Sequence, residues 1–376
     1  MRGKFVDKKC KIALITMLAA LLLFGLSLMV NVRPVKAWSG TITIREDGTI
    51  EPSDAPIITS DYITYILTGN ISSSGDGIDV ERNNITIDGA GYTIEGIGDG
   101  AAGIYLMEIE NVTVKNVIVT RFGYGIWLEG AVNCTIIGNT LINNTENGME
   151  IWWGSDHNRI IGNNIVDNNW TGIHIGDSCN NIFYHNNFIG NKEHVGSDGS
   201  TNFWSGGNPS EGNYWDDYDG EDSDEDGIGD TPYYIAEENF DNYPLMGPFR
   251  SFGTPSGFNV EVISNSTIGN FQYFTSNGTI VLHASESKIG QTYGFCRLTI
   301  PHSLMQPPFA IKVNGVAAEH KTIFENETLS IIYFAYHHST VKITVVPEFQ
   351  KLMALLPLLA LPTVAIVVWR RKRKTS

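Results

Sequence analysis

Gly77-Ile-Asp-Val80, Gly103-Ile-Tyr-Leu106, Gly125-Ile-Trp-Leu128, Gly148-Met-Glu-Ile151 and Gly172-Ile-His-Ile175 are one tetrapeptide written five times. Their glycines lie 26, 22, 23 and 24 residues apart. A second column follows each of them: Asn84-Ile-Thr-Ile87, Asn111-Val-Thr-Val114, Asn133-Cys-Thr-Ile136, Asn158-Arg-Ile160 and Asn180-Asn-Ile182. A third, looser column reads Tyr92-Thr-Ile94, Val117-Ile-Val119, Thr140-Leu-Ile142, Asn164-Ile-Val166 and Asn187-Phe-Ile189. Apolar residues recur with a period of two, which is strand spacing, and Gly and Asn between the runs tolerate positive φ. The pattern predicts a right-handed, three-sided parallel β-helix over residues 38–215, each strand pairing with its equivalent one coil on. One coil cannot bury its apolar face alone, so stability comes from its neighbours.

The β-helix also sorts side chains into inward and outward sets. The third residue of the first column lies between two apolar ones and therefore points out. That row reads Asp79, Tyr105, Trp127, Glu150 and His174, one per coil and about 4.8 Å apart along the stack. Two residues on, the same face adds Glu81, Glu129 and Trp152. Aromatic rings stack on sugar faces and carboxylates accept hydroxyl hydrogen bonds, so the row suits a polysaccharide or cell-surface glycan. The plainer reading is ordinary outward strand residues on an acidic chain. For catalysis, a sugar hydrolase needs two carboxylates at a suitable separation, one with a raised pKa. Glu150 and His174 on adjacent coils are the pair to test.

A second constellation lies in Asp222-Ser-Asp-Glu-Asp-Gly-Ile-Gly-Asp230. Asp222, Asp224, Asp226, the Ile228 carbonyl and Asp230 fall at positions 1, 3, 5, 7 and 9 of a tight loop, with Gly227 at the sharp turn. That is the spacing by which an EF-hand loop directs oxygens at calcium. The departure is Tyr233 at position 12, where that loop has its bidentate Glu, so Asp216, Asp217 or Asp219 would have to complete the shell. The expectation is structural calcium in an acidic closing segment over 216–250; a solvated acidic linker is the alternative.

Residues from about 60 to 215 resemble the parallel β-helix repeat family that includes the periplasmic NosD-type proteins. Gly212-Asn-Tyr-Trp-Asp-Asp-Tyr218, Asp226-Gly-Ile-Gly-Asp-Thr-Pro-Tyr233 and Asp241-Asn-Tyr-Pro-Leu-Met246 are similar to that family's C-terminal closing segment. The resemblance implies the fold well and function poorly, since relatives include carbohydrate-acting enzymes and cofactor-maturation proteins. Copper would be one such cofactor. His157, His174, His185 and His194 fall in successive coils but not in one column, without a Met or Cys cluster, and read as isolated surface or turn histidines.

The two ends are not fold material. Residues 1–37 carry a basic start, an apolar run from about Ile12 to Val30, and Val35-Lys36-Ala37, which reads as a secretory signal cut before Trp38. An uncleaved anchor is the alternative. Leu352–Trp369 is an uncharged apolar stretch of 18 residues followed by Arg370-Arg-Lys-Arg-Lys374, long enough to span a bilayer with the basic cluster cytoplasmic. The signal holds 7 basic residues and 1 acidic, and the tail from Gln350 holds 6 basic and none acidic. The chain's 25 basic and 41 acidic residues thus leave 12 against 40 between the ends, a formal −28. Such a field repels phosphate backbones and excludes nucleic acid as a partner.

Cys134, Cys179 and Cys296 remain after the signal, an odd number without close spacing, so no disulfide framework is expected. Sequons at Asn70, Asn84, Asn111, Asn133, Asn143, Asn169, Asn265, Asn277 and Asn326 are candidate glycosylation sites. Beyond a Gly/Pro/Ser linker at 251–257, seven short alternating strands over 258–346 predict a small immunoglobulin-like β-sandwich that spaces the β-helix from the membrane. Val346-Pro-Glu-Phe349, the apolar run and the basic cluster, within 347–376, resemble the PEF-type sorting tail of archaeal surface proteins. That resemblance implies cleavage and replacement by a lipid anchor; a retained transmembrane helix is the alternative.

The chain therefore reads as all-β: a surface-anchored β-helix that displays a glycan- or partner-binding face without catalysis. The alternatives are a polysaccharide lyase or hydrolase using the same face, and a metal-maturation accessory protein.

Overall fold

The computed structural model describes residues 38–97, 100–206, 209 and 211–348; the expected signal and the anchor tail from Phe349 lie outside them. Every regular element among the described residues is a strand, and no helix among them is long and apolar enough to cross a membrane.

The repeat winds into three parallel sheets, one per column. The first face runs from Ile42–Ile44 to Glu193–Asp198 within an 8-stranded sheet. The second runs from Thr64–Leu67 to Ile182–Tyr184 in a 7-stranded sheet, and the third from Ile71–Ser73 to Tyr214–Trp215. Strands pair one coil apart and in register, as in Ile104 with Ile126 and Val114 with Ile136. Ile78, Ile104, Ile126, Met149 and Ile173 stack inward at zero exposure, with Ile87, Val114, Ile136, Ile160 and Phe183 behind them. The first-column glycines sit at the tightest corner. A Cβ on Gly103 would fall 2.6 Å from the Gly125 carbonyl oxygen and 2.1 Å from Val119, so only glycine fits.

In two places the register departs from the column reading. In the third face the strand pairs Val119 with Leu141, and Leu141 with Ile165, so Leu141, Ile165 and Phe188 fill the core while Ile142, Val166 and Ile189 face out. In the second face Arg159 pairs with Ile182, which puts Phe183 inside. The Asn158 and Asn180 motifs are therefore offset by one: Asn84, Asn111, Asn133, His157 and Asn180 share the left-handed turn, with φ between 55 and 60°.

Asparagine has a second use that the columns do not reveal. Asn139, Asn163, Asn186 and Asn213 are fully buried and stack through the coils. Each backbone N–H donates to the next side-chain oxygen, at 2.9 Å for Asn139 to Asn163 and 3.0 Å for Asn163 to Asn186. Each Nδ2 in turn satisfies a carbonyl of the preceding coil, as Asn163 does for Ile136 at 2.8 Å. Turn backbone that would be orphaned inside the stack is thereby paired. Asn144–Asn168–Asn191 and Ser155–Ser178–Ser200 form parallel ladders.

The ends of the stack are closed, which covers strand edges that would otherwise pair with another chain. Antiparallel Ile50–Glu51 and Ile57–Thr59 finish one end. At the other, the hairpin Tyr233–Ala236 with Asn239–Asp241 continues the ladder: Asn239 Oδ1 accepts from Asn202 N, and Asp241 Oδ2 accepts from Asn213 N at 2.7 Å and Trp215 Nε1 at 3.0 Å.

After it come two five-stranded antiparallel sheets whose inward residues, among them Val260, Leu282, Leu298, Phe334 and Ile343, form one apolar core. The stretch read as a linker from Ser251 differs: Phe249–Gly253 is a strand paired with Asn259–Ile263, leaving only the turn Thr254–Gly257. Phe249 is fastened to the β-helix by reciprocal bonds to the Asn187 amide, 2.8 and 2.9 Å, an anchor that a Gly/Pro/Ser composition conceals.

Candidate functional site

Parallel in-register pairing brings residues two dozen positions apart into contact. Asp79 lies beside Tyr105, Tyr105 beside Trp127, Trp127 beside Glu150, and Glu150 beside His174. The outward row expected from the sequence is thus one continuous row on the first face. Trp152 stands in the next row beside Glu129, which in turn lies beside Met107, while Glu81 pairs with Arg45 at 2.8 Å.

The row has two halves. In the aromatic half, the Trp127 ring is tilted against Tyr105 and Tyr124, with centroids 5.3 and 4.7 Å apart, and the Tyr105 hydroxyl donates to Glu129. Two polar atoms here, Trp127 Nε1 and Asp79 Oδ1, are buried without a partner. Burial, together with the charges of Asp76 and Glu81, pushes the Asp79 carboxyl up to about 6.

In the second half polar groups satisfy one another. Glu150, 8% exposed, takes Asn147 Nδ2 at 2.7 Å on one oxygen and His174 Nδ1 at 2.8 Å on the other. Thr171 Oγ1 donates to Asn147 at 2.7 Å. The hydrogen bond that His174 donates to Glu150 raises the His174 pKa, against the opposing effect of burial. Trp152 stacks on the His174 ring at 5.5 Å and lies over Gly176, where a Cβ would come within 1.8 Å of the indole. A carboxylate with both oxygens engaged is a poor free base, so this pair has the geometry of a positioned scaffold.

The acidic loop is only partly assembled. Asp222, Asp224 and Asp226 bring oxygens within 4.8 Å of one another, and Asp222 accepts the N–H groups of Asp226 and Gly227, both at 2.9 Å. Asp230 instead holds Ser223 N at 2.8 Å, and the Ile228 side chain enters a small core with Leu245 and Phe249. Asp216 and Asp217 are directed elsewhere, to His194.

Of the four histidines, His157 is an exposed turn residue at φ 59° as read, whereas His174, His185 and His194 each face a carboxylate instead of standing isolated. His185 Nε2 is 2.6 Å from Glu211, and Arg297 of the second sheet system closes on the same carboxylate at 2.7 Å. Burial would raise the Glu211 pKa, but His185 and Arg297 prevail and hold it at about 2. His185 and Glu211 line a cleft of about 1180 Å³ that also exposes Lys115, Arg250 and Glu261. Burial raises the Glu261 pKa there. Nothing in the column pattern predicts this cleft, because Arg250 and Glu261, which help to line it, come from outside the repeat.

Residues 40–220 match a family described as periplasmic copper-binding protein (NosD). The repeat is a NosD-like parallel β-helix. A curated relative, the probable ABC transporter binding protein NosD of Pseudomonas aeruginosa, is 39% identical over 98 residues, 26% of this chain and 22% of that protein. Among solved structures, a double mutant of the periplasmic alginate epimerase AlgG is 18% identical, covering 36% of this chain and 34% of that one, with a TM-score of 0.29. The enzymatically active domain of bacteriophage CBA120 tailspike protein 2 is 13% identical over 82% of this chain and 69% of that one, with a TM-score of 0.30.

The NosD-like repeat can be tested against the copper in that family description. Cuprous ions favour thiolate and thioether donors. Cys134 and Cys296 are buried singly with thiols pushed up to about 11 by burial. The converging groups of His, Cys, Asp and Glu side chains among the described residues contain no sulfur. These converging groups supply nitrogen and oxygen, not the thiolate that a cuprous ion favours.

Proposed function

We propose that this chain is an exported surface protein whose NosD-like β-helix presents its first face to a glycan without turning it over. The observation that carries the reading is the aromatic half of the row: Tyr105, Trp127 and Tyr124 in contact, with Trp127 Nε1 and Asp79 Oδ1 lacking a partner inside the protein. Rings offer faces for sugars, and these three are half-buried rather than enclosed in the core. The engaged state of Glu150 favours binding over catalysis. A formal charge of −28 between the two ends favours an uncharged polysaccharide over a polyuronate.

In this reading the two antiparallel sheets are an immunoglobulin-like spacer, and residues 347–376 hold the protein at the membrane, with the PEF-type tail as processing signal. Calcium held by Asp222, Asp224 and Asp226 orders the closing segment. The export named for NosD relatives agrees with the expected signal.

Affinity electrophoresis of the purified chain through gels of neutral and acidic polysaccharides, with analysis of products, tests the proposal. Expected is retardation by a neutral polysaccharide, no new reducing ends, and loss of retardation in Trp127→Ala. New reducing ends or unsaturated sugars would establish the enzyme reading instead. A melting temperature indifferent to chelator removes calcium from the account.

A further inference from the structure

At the corner where the last coil ends, His194 opens the strand Glu193–Asp198, and Asp216 and Asp217 follow the final third-face strand Tyr214–Trp215. The His194 ring lies against Phe188 and Trp215, centroids 6.0 Å from each, and its side chain is 6% accessible. Packing therefore fixes the ring. Its Nε2 faces Asp216 Oδ1 at 2.9 Å and Asp217 Oδ1 at 3.3 Å.

Each carboxylate is oriented by a donor on its other oxygen. Gly190 N–H reaches Asp216 Oδ2 at 2.9 Å, and the Tyr233 hydroxyl reaches Asp217 Oδ2 at 3.2 Å. Tyr233 is itself held flat on Trp215 at 4.4 Å and 11°. The inner oxygens and Nε2 thus converge, while hydrogen bonds to the outer oxygens supply the supporting contacts that metal-binding side chains characteristically have.

Charge points the same way. Among the described residues no Lys or Arg pairs with either aspartate. Glu211, by contrast, is fully paired with His185 and Arg297. Two carboxylate oxygens and an imidazole nitrogen therefore lie within 4.8 Å of one another with no cationic side chain among them. One nitrogen and two oxygens suit a borderline divalent ion, whereas calcium asks for six to eight oxygens.

We infer that His194, Asp216 and Asp217 form a binding site for a divalent first-row transition ion such as Zn²⁺ or Co²⁺, separate from the Asp222–Asp226 loop and open to solvent on the aspartate side.

The test is titration of the full chain with Co²⁺ in excess Ca²⁺, which occupies the oxygen-rich loop, followed by visible absorption and displacement by Zn²⁺. A single equivalent is expected, with a ligand-field spectrum that His194→Gln abolishes. Asp217→Asn, at a side chain open to solvent, keeps the fold and weakens binding; Tyr233→Phe weakens it about tenfold through the supporting contact. Absence of stoichiometric binding, or unchanged affinity in Asp217→Asn and Tyr233→Phe, overturns the site. Should His194→Gln not fold, those two variants decide. Retardation by polysaccharide has no bearing on the outcome.

Discussion

Asp79 on the first face and Glu211 at the closing end are both withdrawn from water, and their pKa values move in opposite directions. Asp79 meets burial and two neighbouring acids, and rises to about 6. Glu211 is more deeply buried, yet His185 and Arg297 hold it at about 2. The first face therefore carries an acid that the fold leaves uncompensated, whereas the closing end neutralises its charges within the fold. Unrelieved polarity is what a binding surface needs, and internal neutralisation is what a joint needs.

The contrast can be broken most severely at the joint. Arg297→Met leaves Glu211 buried beside His185 alone and is expected to cost about 3–5 kcal/mol, measured by denaturant unfolding. Adding Glu211→Gln should recover much of that loss, because no uncompensated charge then remains. A smaller effect is expected where burial is neutral: Asn163→Ala removes a ladder oxygen and amide and should cost about 1–3 kcal/mol, with no dependence on pH.

The pH profiles sharpen the comparison further. A carboxylate whose folded pKa is depressed contributes stability above its unfolded value that is lost as pH falls through the folded one. Glu211 therefore weakens the closing end between about pH 4.5 and 2. Asp79 has a raised folded pKa, so its carboxyl is fully tolerated below the unfolded value, near 4, and its stability contribution is lost as pH rises to about 6. Asp79→Asn should raise the melting temperature slightly at pH 7 and leave it unchanged at pH 4. A fall at pH 7 would show that the ionised form is held by partners.

The three faces, their periodicity and the outward row were legible because the repeat is periodic: one residue type per coil becomes one column in space. Two kinds of information were not. The asparagine ladders were hidden although their spacing is regular, as in Asn139, Asn163 and Asn186, because Asn also marks positive-φ turns and the two uses look alike in a string. His185 with Glu211 and Arg297, and His194 with Asp216 and Asp217, join the repeat to segments that do not repeat. No column could have paired them. The spacing of Asp222 to Asp230 suggested one five-ligand loop; among its side chains those of Asp222, Asp224 and Asp226 converge, while one Asp230 oxygen accepts from the Ser223 amide.

The most direct test of the first face as a glycan-binding surface is hydroxyl-radical footprinting of the full chain with and without a neutral polysaccharide that retards it. Protection is expected at Trp127, Trp152 and Tyr105, with none at Tyr234 and Tyr293, which are exposed but lie outside the repeat. Protection confined to Tyr234 or Tyr293, or an unchanged pattern on the first face while the polysaccharide is bound, would contradict the assignment.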